Sequence, residues 1–310
     1  MSRMSCSFNL QPVHPDVILR IIREMCMSKA TGIDDISVES IKLVADLLLA
    51  PITHIINLAI TQSQFPTAWK KAKIVPLFKK GSPLEAKNYR HIALPVFSKI
   101  LEKAVFLQII DYLNANKLYH PNHHRFLSNH NTVTGIIQMY DIWTDSLEKK
   151  QMAGVMMVDL SAAFDTVDHS LLLEKLRIMG FGLECCSFFH SYLNSRSQKV
   201  LIDGHLSDEL LIECGVPQGS ILGPLLYVLY TNDLPEIVHT ECGIEVESSS
   251  SMYCNQCGNI CNYADDSTYT YCSADPVEMS SNEVSEYMVN NKLVINAEKR
   301  LNCYGSRNEQ

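Results

Sequence analysis

Two adjacent carboxylates, Asp265 and Asp266, lie within the segment 262–267 (NYADDS), between two short runs that are typical of β-strands. The run that follows, Ser267–Tyr271, is rich in hydroxyl-bearing, β-branched and aromatic residues, which predicts a hairpin with both carboxylates near its tip. Adjacent side chains on a strand point to opposite faces, so one carboxylate can face a shared cavity while the other lies close to the turn. Alone the pattern is weak, because Asp-Asp is common in turns.

A third carboxylate, Asp159, ends a continuous apolar run that begins at Ala153. Such a run predicts a strand that is buried on both faces. A buried strand does not carry a carboxylate without a reason, because burying a charge is costly. Two interpretations stay open at this point. Either Asp159 caps the following turn, or it is a metal ligand at a strand end that faces the Asp265–Asp266 hairpin.

Three segments together resemble the catalytic motifs of reverse transcriptases from LINE-type (non-LTR) retrotransposons. Residues 154–169 (GVMMVDLSAAFDTVDH) resemble the first motif, residues 215–224 (GVPQGSILGP) the second and residues 263–266 (YADD) the third. The order and the spacing of the motifs also match, and the resemblance covers nearly the whole chain. Three long motifs in the right order are a far stronger signal than a lone tetrapeptide.

The resemblance implies an α+β fold, namely a polymerase palm in which helices back an antiparallel sheet, with an N-terminal fingers subdomain. We expect one reverse transcriptase domain over residues 1–310, with the fingers mainly in 15–150 and the palm mainly in 151–310. Residues 234–258, which are low in complexity around Glu247–Ser251, are expected to form a flexible insertion. We expect the thumb and the endonuclease of the family to be absent from this chain and to be supplied by partner domains.

By the same resemblance, the chain is expected to be an RNA-directed DNA polymerase, a nucleotidyltransferase that extends a DNA primer on an RNA template with deoxynucleoside triphosphates. Asp159, Asp265 and Asp266 are the expected ligands of two Mg²⁺ ions, with Mn²⁺ as a substitute. The assignment fits because Mg²⁺ prefers carboxylate and phosphate oxygens. Lys299, in a segment that resembles the next motif of the family (291–299), is the expected proton donor to pyrophosphate.

The predicted triphosphate-binding residues lie in a β-hairpin over residues 73–94, with Lys79, Lys80 and Arg90 near its tip. Basic side chains suit this role, because Arg holds phosphate with two parallel hydrogen bonds and Lys adds a point charge. The family carries its triphosphate-binding residues at this place, although His91 replaces a usual Pro and leaves the local turn geometry open.

Further nucleotide contacts are expected from Phe164, Gln218 and Gly219. In the resembled family, an aromatic side chain at the position of Phe164 selects deoxynucleotides, and the alternative is an ordinary buried Phe. Gln218 and Gly219 belong to a predicted turn before a helix, where Gly lets the backbone come close to a ligand. Gln218 can then hydrogen-bond the incoming nucleotide or the template base, and the alternative is an ordinary polar loop.

Hydrophobic periodicity, helix-capping residues and turn residues predict the elements that must position these side chains. One helix is predicted to begin at Asp16, a second to run from Ser37 to Ile60, and two more to cover 96–112 and 132–148. A further helix is predicted between its cap, Asp168, and its end at Gly180. Turns are predicted at Asp165 and, in a hairpin, at Asp203-Gly204.

The formal net charge of −8 over 310 residues argues mildly against a nucleic-acid partner, although a polymerase binds through a local channel. Five lysines lie between Lys70 and Lys80, and such a run is usually a solvated face. Eleven cysteines, no signal peptide and no apolar run of about 18 residues predict a cytoplasmic or nuclear protein with reduced thiols and no membrane partner. Cys254, Cys257 and Cys261 resemble part of a zinc knuckle, but reduced thiols are the preferred interpretation because no fourth ligand is well spaced.

Three other classes of protein stay open. The chain could be a catalytically inactive retrotransposon fragment, a domesticated nucleic-acid-binding protein, or an RNA-templated RNA polymerase, since such enzymes also carry Asp-Asp hairpins. The intact Asp159, Gln218 and Asp265–Asp266 argue against the first two classes. Phe164 and the length of the motif matches argue against the third.

Overall fold

The computed structural model contains ten strands and nine α-helices among the residues that it describes. Those residues are 7–27, 31–78, 81–85, 88–90, 96–120, 131–148, 152–160, 162–234, 259–263, 266–273, 281–294 and 303–305. In chain order the elements are α1 (Pro15–Glu24), α2 (Val38–Leu43), α3 (Ala45–Thr61), a 3₁₀ helix (Thr67–Lys70), β1 (Lys71–Ile74), β2 (Leu77–Phe78), β3 (Tyr89–Arg90), α4 (Val96–Ala115), α5 (Thr132–Glu148), β4 (Met152–Asp159), α6 (His169–Ile178), α7 (Leu183–Leu193), β5 (Arg196–Ile202), β6 (His205–Leu206), β7 (Leu210–Ile212), α8 (Leu222–Tyr230), β8 (Asn259–Tyr263), β9 (Asp266–Ser273), α9 (Ser281–Asn290) and β10 (Cys303–Gly305).

The chain divides into two compact units, and each unit combines two separate stretches of sequence. The first unit contains Met1–Leu118 and Asp168–Leu226, and the second contains Tyr119–Val167 and Tyr227–Gln310. These units are defined by packing alone. The predicted division into fingers and palm therefore stays a prediction, as does the predicted insertion at 234–258, almost all of which lies outside the described residues.

Helices α1, α3 and α4 form the helical core of the first unit. The helical period of apolar residues predicts α1 and α4 correctly, and α1 contacts both α3 and α4. Ile18 and Ile22 of α1 and Ile100 and Leu101 of α4 are fully buried. The predicted helix from Ser37 to Ile60 is instead two helices, because Val44, with φ −111° and ψ 18°, leaves helical geometry between α2 and α3.

The strands of the first unit form a small mixed sheet and a separate ribbon. Strand β5 pairs in parallel with β1 and antiparallel with β6 and β7, while β2 pairs antiparallel with β3. The first strand of the predicted hairpin, which was expected to begin at Lys73 and run into a turn, is interrupted, because β1 ends at Ile74 and β2 begins at Leu77. Pro76 lies in the gap, and proline has no N–H to continue a strand ladder. The predicted turn at Asp203-Gly204 is confirmed, since both residues have positive φ, 48° and 82°.

The second unit is built around a four-stranded sheet in the order β10-β4-β9-β8, in which every pair of neighbours is antiparallel. Helix α5, predicted over 132–148 and found there, contacts β4, β8 and β9. The predicted α+β architecture, an antiparallel sheet backed by helices, is therefore confirmed. None of the helices that the structure describes is both long enough and apolar enough to cross a membrane.

Candidate active site

Two predicted acidic site residues lie side by side in the sheet of the second unit. Strand β4 ends at Asp159, β9 begins at Asp266, and the register of the two strands places these residues directly opposite each other. The Cα atoms of such antiparallel partners lie about 4.5–5.5 Å apart. The sequence predicted that a strand ending in Asp159 would meet the hairpin of the acidic pair, and this register confirms that part of the prediction.

The hairpin predicted around the acidic pair is also confirmed. Tyr263, the last residue of β8, pairs with Asp266, the first residue of β9, so the two strands form a hairpin. Asp265 itself lies outside the described residues.

The segment after Asp159 is a tight turn that holds Phe164 against a buried ring. Ala162 has a φ of 49°, and its carbonyl oxygen accepts the N–H of Asp165 at 2.7 Å. The ring of Phe164, which is half-buried, lies 4.9 Å from the ring of Tyr227, centroid to centroid, and Tyr227 is almost completely buried. Phe164 is thus a partly exposed side chain with a packed ring behind it. Its predicted part in sugar selection stays a prediction.

In the first unit, the predicted roles of Asp168 and Gly180 around α6 are confirmed. Oδ1 of Asp168 accepts the N–H of Leu171 at 2.9 Å, which caps α6. Gly180, just past the end of that helix, has a φ of 89°, a conformation that favours glycine. Asp168 therefore has a structural role at the helix start.

The turn that carries Gln218 and Gly219 is confirmed, and it precedes α8 as predicted. Gly215 and Gly219 have φ values of 84° and 78°, which are strained for any other residue type. At one end of the turn, Nε2 of His169 donates to the carbonyl oxygen of Gly215 at 2.7 Å. At the other end, Oγ of Ser220 donates to the carbonyl oxygen of Pro217 at 2.6 Å and accepts the N–H of Gly223 at 2.9 Å.

A buried carboxylate that the sequence prediction missed lies beneath this turn. Oε2 of Glu102, on α4, accepts the N–H of Ile221 at 2.7 Å and that of Leu222 at 3.2 Å. Burial raises the pKa of the Glu102 carboxyl, while the charge of Arg196, these two N–H groups and the Ser98 hydroxyl lower it, and the pKa stays above its usual value. The signal was present in the sequence, because position 102 falls on the buried stripe of α4 with Val105 and Ile109.

The predicted nucleotide-binding hairpin is present as the β2–β3 ribbon. Leu77 pairs with Arg90 and Phe78 with Tyr89, and the Phe78 and Tyr89 rings lie 5.5 Å apart. Lys79 and Lys80 lie outside the described residues, directly after β2. The structure therefore supports the backbone of this hairpin, and the phosphate-binding role of its three basic residues stays a prediction.

The expectation that the lysine cluster is a solvated face is wrong for two of its members. Lys70 and Lys73 are only 7% and 9% exposed. Nζ of Lys73 lies 2.9 Å from Oδ1 of Asp35 and donates to Thr31 at 3.2 Å, and this contact lowers the pKa of the Asp35 carboxyl. Burial, together with the charge of Arg196, lowers the pKa of Lys70. Both lysines contact residues from distant segments, since Nζ of Lys70 lies 3.5 Å from Oγ of Ser191 and Lys73 contacts Thr31 and Asp35.

The remaining predicted site residues lie where the structure gives no description. Lys299, Cys254 and Cys257 are outside the described residues, and Cys261 is described only as part of β8. Where side chains are described, no three His, Cys, Asp or Glu residues come together as a metal site. The predictions for Lys299 and for the cysteine cluster stay predictions.

Comparisons with known proteins agree with the motifs. The profile of the family "Reverse transcriptase (RNA-dependent DNA polymerase)" matches residues 77–308. The chain is 29% identical over 310 residues to the RNA-directed DNA polymerase from mobile element jockey of Drosophila melanogaster, covering 97% of this chain and 32% of that protein. It is 28% identical over 308 residues to the probable RNA-directed DNA polymerase from transposon X-element of the same species, with 95% and 32% covered.

Among solved structures, the chain is similar to telomerase from Candida tropicalis in complex with a fragment of telomeric RNA. The TM-score is 0.55 at 13% identity, over 79% of this chain and 42% of that one. This likeness shows the fold, a polymerase palm. The chain spans about a third of the length of the two Drosophila proteins.

Proposed function

Since the chain belongs to the reverse transcriptase (RNA-dependent DNA polymerase) family, we propose that it adds deoxynucleotides to the 3′ end of a DNA primer on an RNA template. The observation that carries this proposal is the register of Asp159 with Asp266 on neighbouring strands. That pairing brings together acidic residues from two motifs that are far apart in the sequence. The two Drosophila relatives, which are named for this activity, are non-LTR retrotransposon proteins, as the motifs predicted.

The acidic residues at the end of the sheet fit a divalent-metal site of the hard, oxygen-only kind. Asp159 and Asp266 are paired in the sheet, and Asp265 directly precedes Asp266 in the sequence, so the donors are carboxylates. Mg²⁺, or Mn²⁺ in its place, prefers such oxygens. We propose that these three residues hold two ions. When bound, such ions lower the pKa of the attacking 3′-hydroxyl and stabilise charge on the leaving pyrophosphate.

The other predicted residues then bind and orient the substrates. Arg90 of β3, together with Lys79 and Lys80, which follow β2 in the sequence, would hold the triphosphate through charge and hydrogen bonds. Lys299 would hold a proton for the leaving pyrophosphate. In this scheme most of the catalysis comes from positioning and from preorganised charge.

The nucleotide base and sugar are assigned to three further residues. Gln218 and Gly219, in a turn fixed at both ends, would contact the incoming nucleotide or the template base. Phe164, packed against Tyr227, would exclude the 2′-hydroxyl of a ribonucleotide.

The cell compartment is a further proposal. Four described cysteines, Cys26, Cys185, Cys186 and Cys214, form no disulfide, which supports a protein of the cytoplasm or nucleus with reduced thiols.

The test is extension of a DNA primer on an RNA template with Mg²⁺ and deoxynucleotides. We expect Asp159→Asn and Asp265→Asn to lower the extension rate by at least about a hundredfold, because each removes a charged ligand from the reacting centre. Asp203→Asn is the matched control, since Asp203 lies in an exposed turn of the first unit and Asn tolerates its positive φ. Extension by Asp159→Asn at the rate of the unmutated protein would refute the site.

A further inference from the structure

We propose that Glu102 is a positioning residue that holds Gln218 in place through the N-terminus of α8. Glu102 lies on α4, far from the catalytic motifs in the sequence, yet its carboxylate contacts the residues that directly follow the Gly215–Gly219 turn. The anchoring of the turn is independent of any activity. The effect on nucleotide use rests on the function proposed above.

The first step of the argument is how the start of α8 is held. The first N–H groups of a helix have no partner within the helix. Here the N–H groups of Ile221 and Leu222 both donate to Oε2 of Glu102, and that of Gly223 donates to Oγ of Ser220. Three consecutive backbone donors are therefore held by side chains, and Glu102 holds two of the three.

The second step is burial. Glu102 is 1% exposed and Leu222 is fully buried, while Ile221 is half-buried, so water has little access to replace the Glu102 carboxyl at the Leu222 amide. A buried donor that loses its partner is costly. The start of α8 also carries positive partial charge, which favours a carboxylate there. Glu102 therefore fixes the first backbone N–H groups of α8, while the apolar side chains of the helix pack in the core.

The third step links α8 to Gln218. The turn is tied at its first residue, where Gly215 accepts from His169, and at its end, where Ser220 bonds Pro217. There is no free space at the end, because a Cβ placed on Gly223 would lie 2.6 Å from Oγ of Ser220 and 2.7 Å from the carbonyl oxygen of Pro217. A shift of the first turn of α8 would therefore be transmitted to the segment that holds Gln218.

The experiment compares three substitutions of Glu102 in the full chain. Glu102→Leu removes the acceptor and keeps similar volume, while Glu102→Gln keeps one acceptor oxygen. Glu102→Asp keeps the charge but withdraws it by about one bond length, roughly 1.5 Å. Asp111→Asn is the matched control, because it removes a carboxylate from an exposed position on the same helix.

Two quantities are measured for each variant. The first is the hydrogen-exchange rate of the Ile221 and Leu222 amides, which reports the anchoring directly. The second is the separate effect on KM for the deoxynucleotide and on kcat in primer extension. For Glu102→Leu and Glu102→Asp we expect exchange to accelerate about tenfold or more and KM to rise by a similar factor, with a smaller change in kcat. Glu102→Gln should stay within about threefold of the unmutated protein in both, and Asp111→Asn should match it.

Each outcome supports or overturns either the anchoring of α8 by Glu102 or the link from α8 to Gln218. Unchanged exchange of the two amides in folded Glu102→Leu or Glu102→Asp would overturn the proposal. Faster exchange with an unchanged KM would overturn the link to Gln218. If Glu102→Leu does not fold, Glu102→Asp gives the same readouts. If the unmutated protein does not extend primers, the proposed function fails, while exchange at Ile221 and Leu222 still supports or overturns the anchoring.

Discussion

The buried guanidinium of Arg196 offers a sharp test of the charge balance in the first unit. Arg196 is 2% exposed, and its Nη1 donates to the carbonyl oxygen of Tyr192 at 3.0 Å. Its guanidinium carbon lies 4.9 Å from the centre of the Tyr192 ring, and its positive charge lowers the pKa of Glu102. We predict that Arg196→Met, which keeps much of the volume and removes the charge, strongly destabilises the protein.

The magnitude follows from these contacts. A buried carbonyl that loses its donor costs about 1–3 kcal/mol. The cation–π contact with Tyr192 contributes about 1 kcal/mol or more. The charge of Arg196 also lowers the pKa of Glu102, so its removal leaves the buried carboxyl with less compensation and adds to the loss. Because these terms overlap, we expect Arg196→Met to lower the free energy of unfolding by about 2–4 kcal/mol.

The loss should depend on pH with a defined sign. The folded-state pKa of Glu102 is raised above its unfolded value, so the stability linked to this group is largest at low pH and falls as pH rises through the folded pKa. Removing Arg196 raises that pKa further. The penalty of Arg196→Met should therefore be smaller at low pH, where Glu102 is protonated in both folded proteins, than above the folded-state pKa of Glu102. Adding Glu102→Gln, which cannot ionise, should remove the difference.

The assay is urea unfolding of the unmutated protein, Arg196→Met, Glu102→Gln and the double variant at several pH values. We expect the double variant to be more stable than the sum of the single effects predicts, by on the order of 1 kcal/mol or more, because neither charge is then left alone. Strict additivity at every pH would refute the idea that Arg196 and Glu102 balance each other across the core.

Two further predictions concern Phe164 and Gly223. Phe164→Ala should raise ribonucleotide incorporation relative to deoxynucleotide incorporation by about tenfold or more in single-nucleotide assays. Phe164→Ala should also lower the free energy of unfolding by about 1–2 kcal/mol. The control is Phe97→Ala, which loses a comparable ring contact with Trp69 and should leave sugar selection unchanged. Gly223→Ala should lower the free energy of unfolding by about 1–3 kcal/mol through the clash with Ser220 and Pro217. Gly204→Ala, where a Cβ meets nothing within 4 Å, should cost only about 1–2 kcal/mol from its positive φ, and a larger loss there would contradict this ranking.

Local patterns in the sequence predicted the parts of the fold that depend on local rules. Helices α1, α4 and α5 follow from apolar residues at helical spacing, and the Asp203-Gly204 turn follows from residues that accept positive φ. The strand ending in Asp159 and the hairpin before Asp266 were predicted as separate elements. Their pairing came from the resemblance of three motifs, since periodicity alone does not say which strands are neighbours.

The partners of the charged core residues could not be predicted, because they lie far away in the sequence. Oε2 of Glu102 bonds residues 119 and 120 positions later, and Lys70 approaches Ser191 at a separation of 121. Composition assigns such side chains to the surface. In the same way, β1 was not separated from β2 because its partner, β5, lies beyond α4, α5, α6 and α7.

The strand order of the four-stranded sheet also governs when Asp159 can pair with Asp266 during synthesis. Strand β4 emerges from the ribosome before either of its described partners, because β9 and β10 both lie later in the chain, after α6, α7 and α8. Until β9 arrives, an apolar strand has its hydrogen-bonding edges unpaired, a condition that favours aggregation. Residues of the first unit are translated during that interval. Slow translation of residues 168–258 would therefore prolong the exposure of β4. A chaperone that shields extended apolar segments would act mainly during this interval.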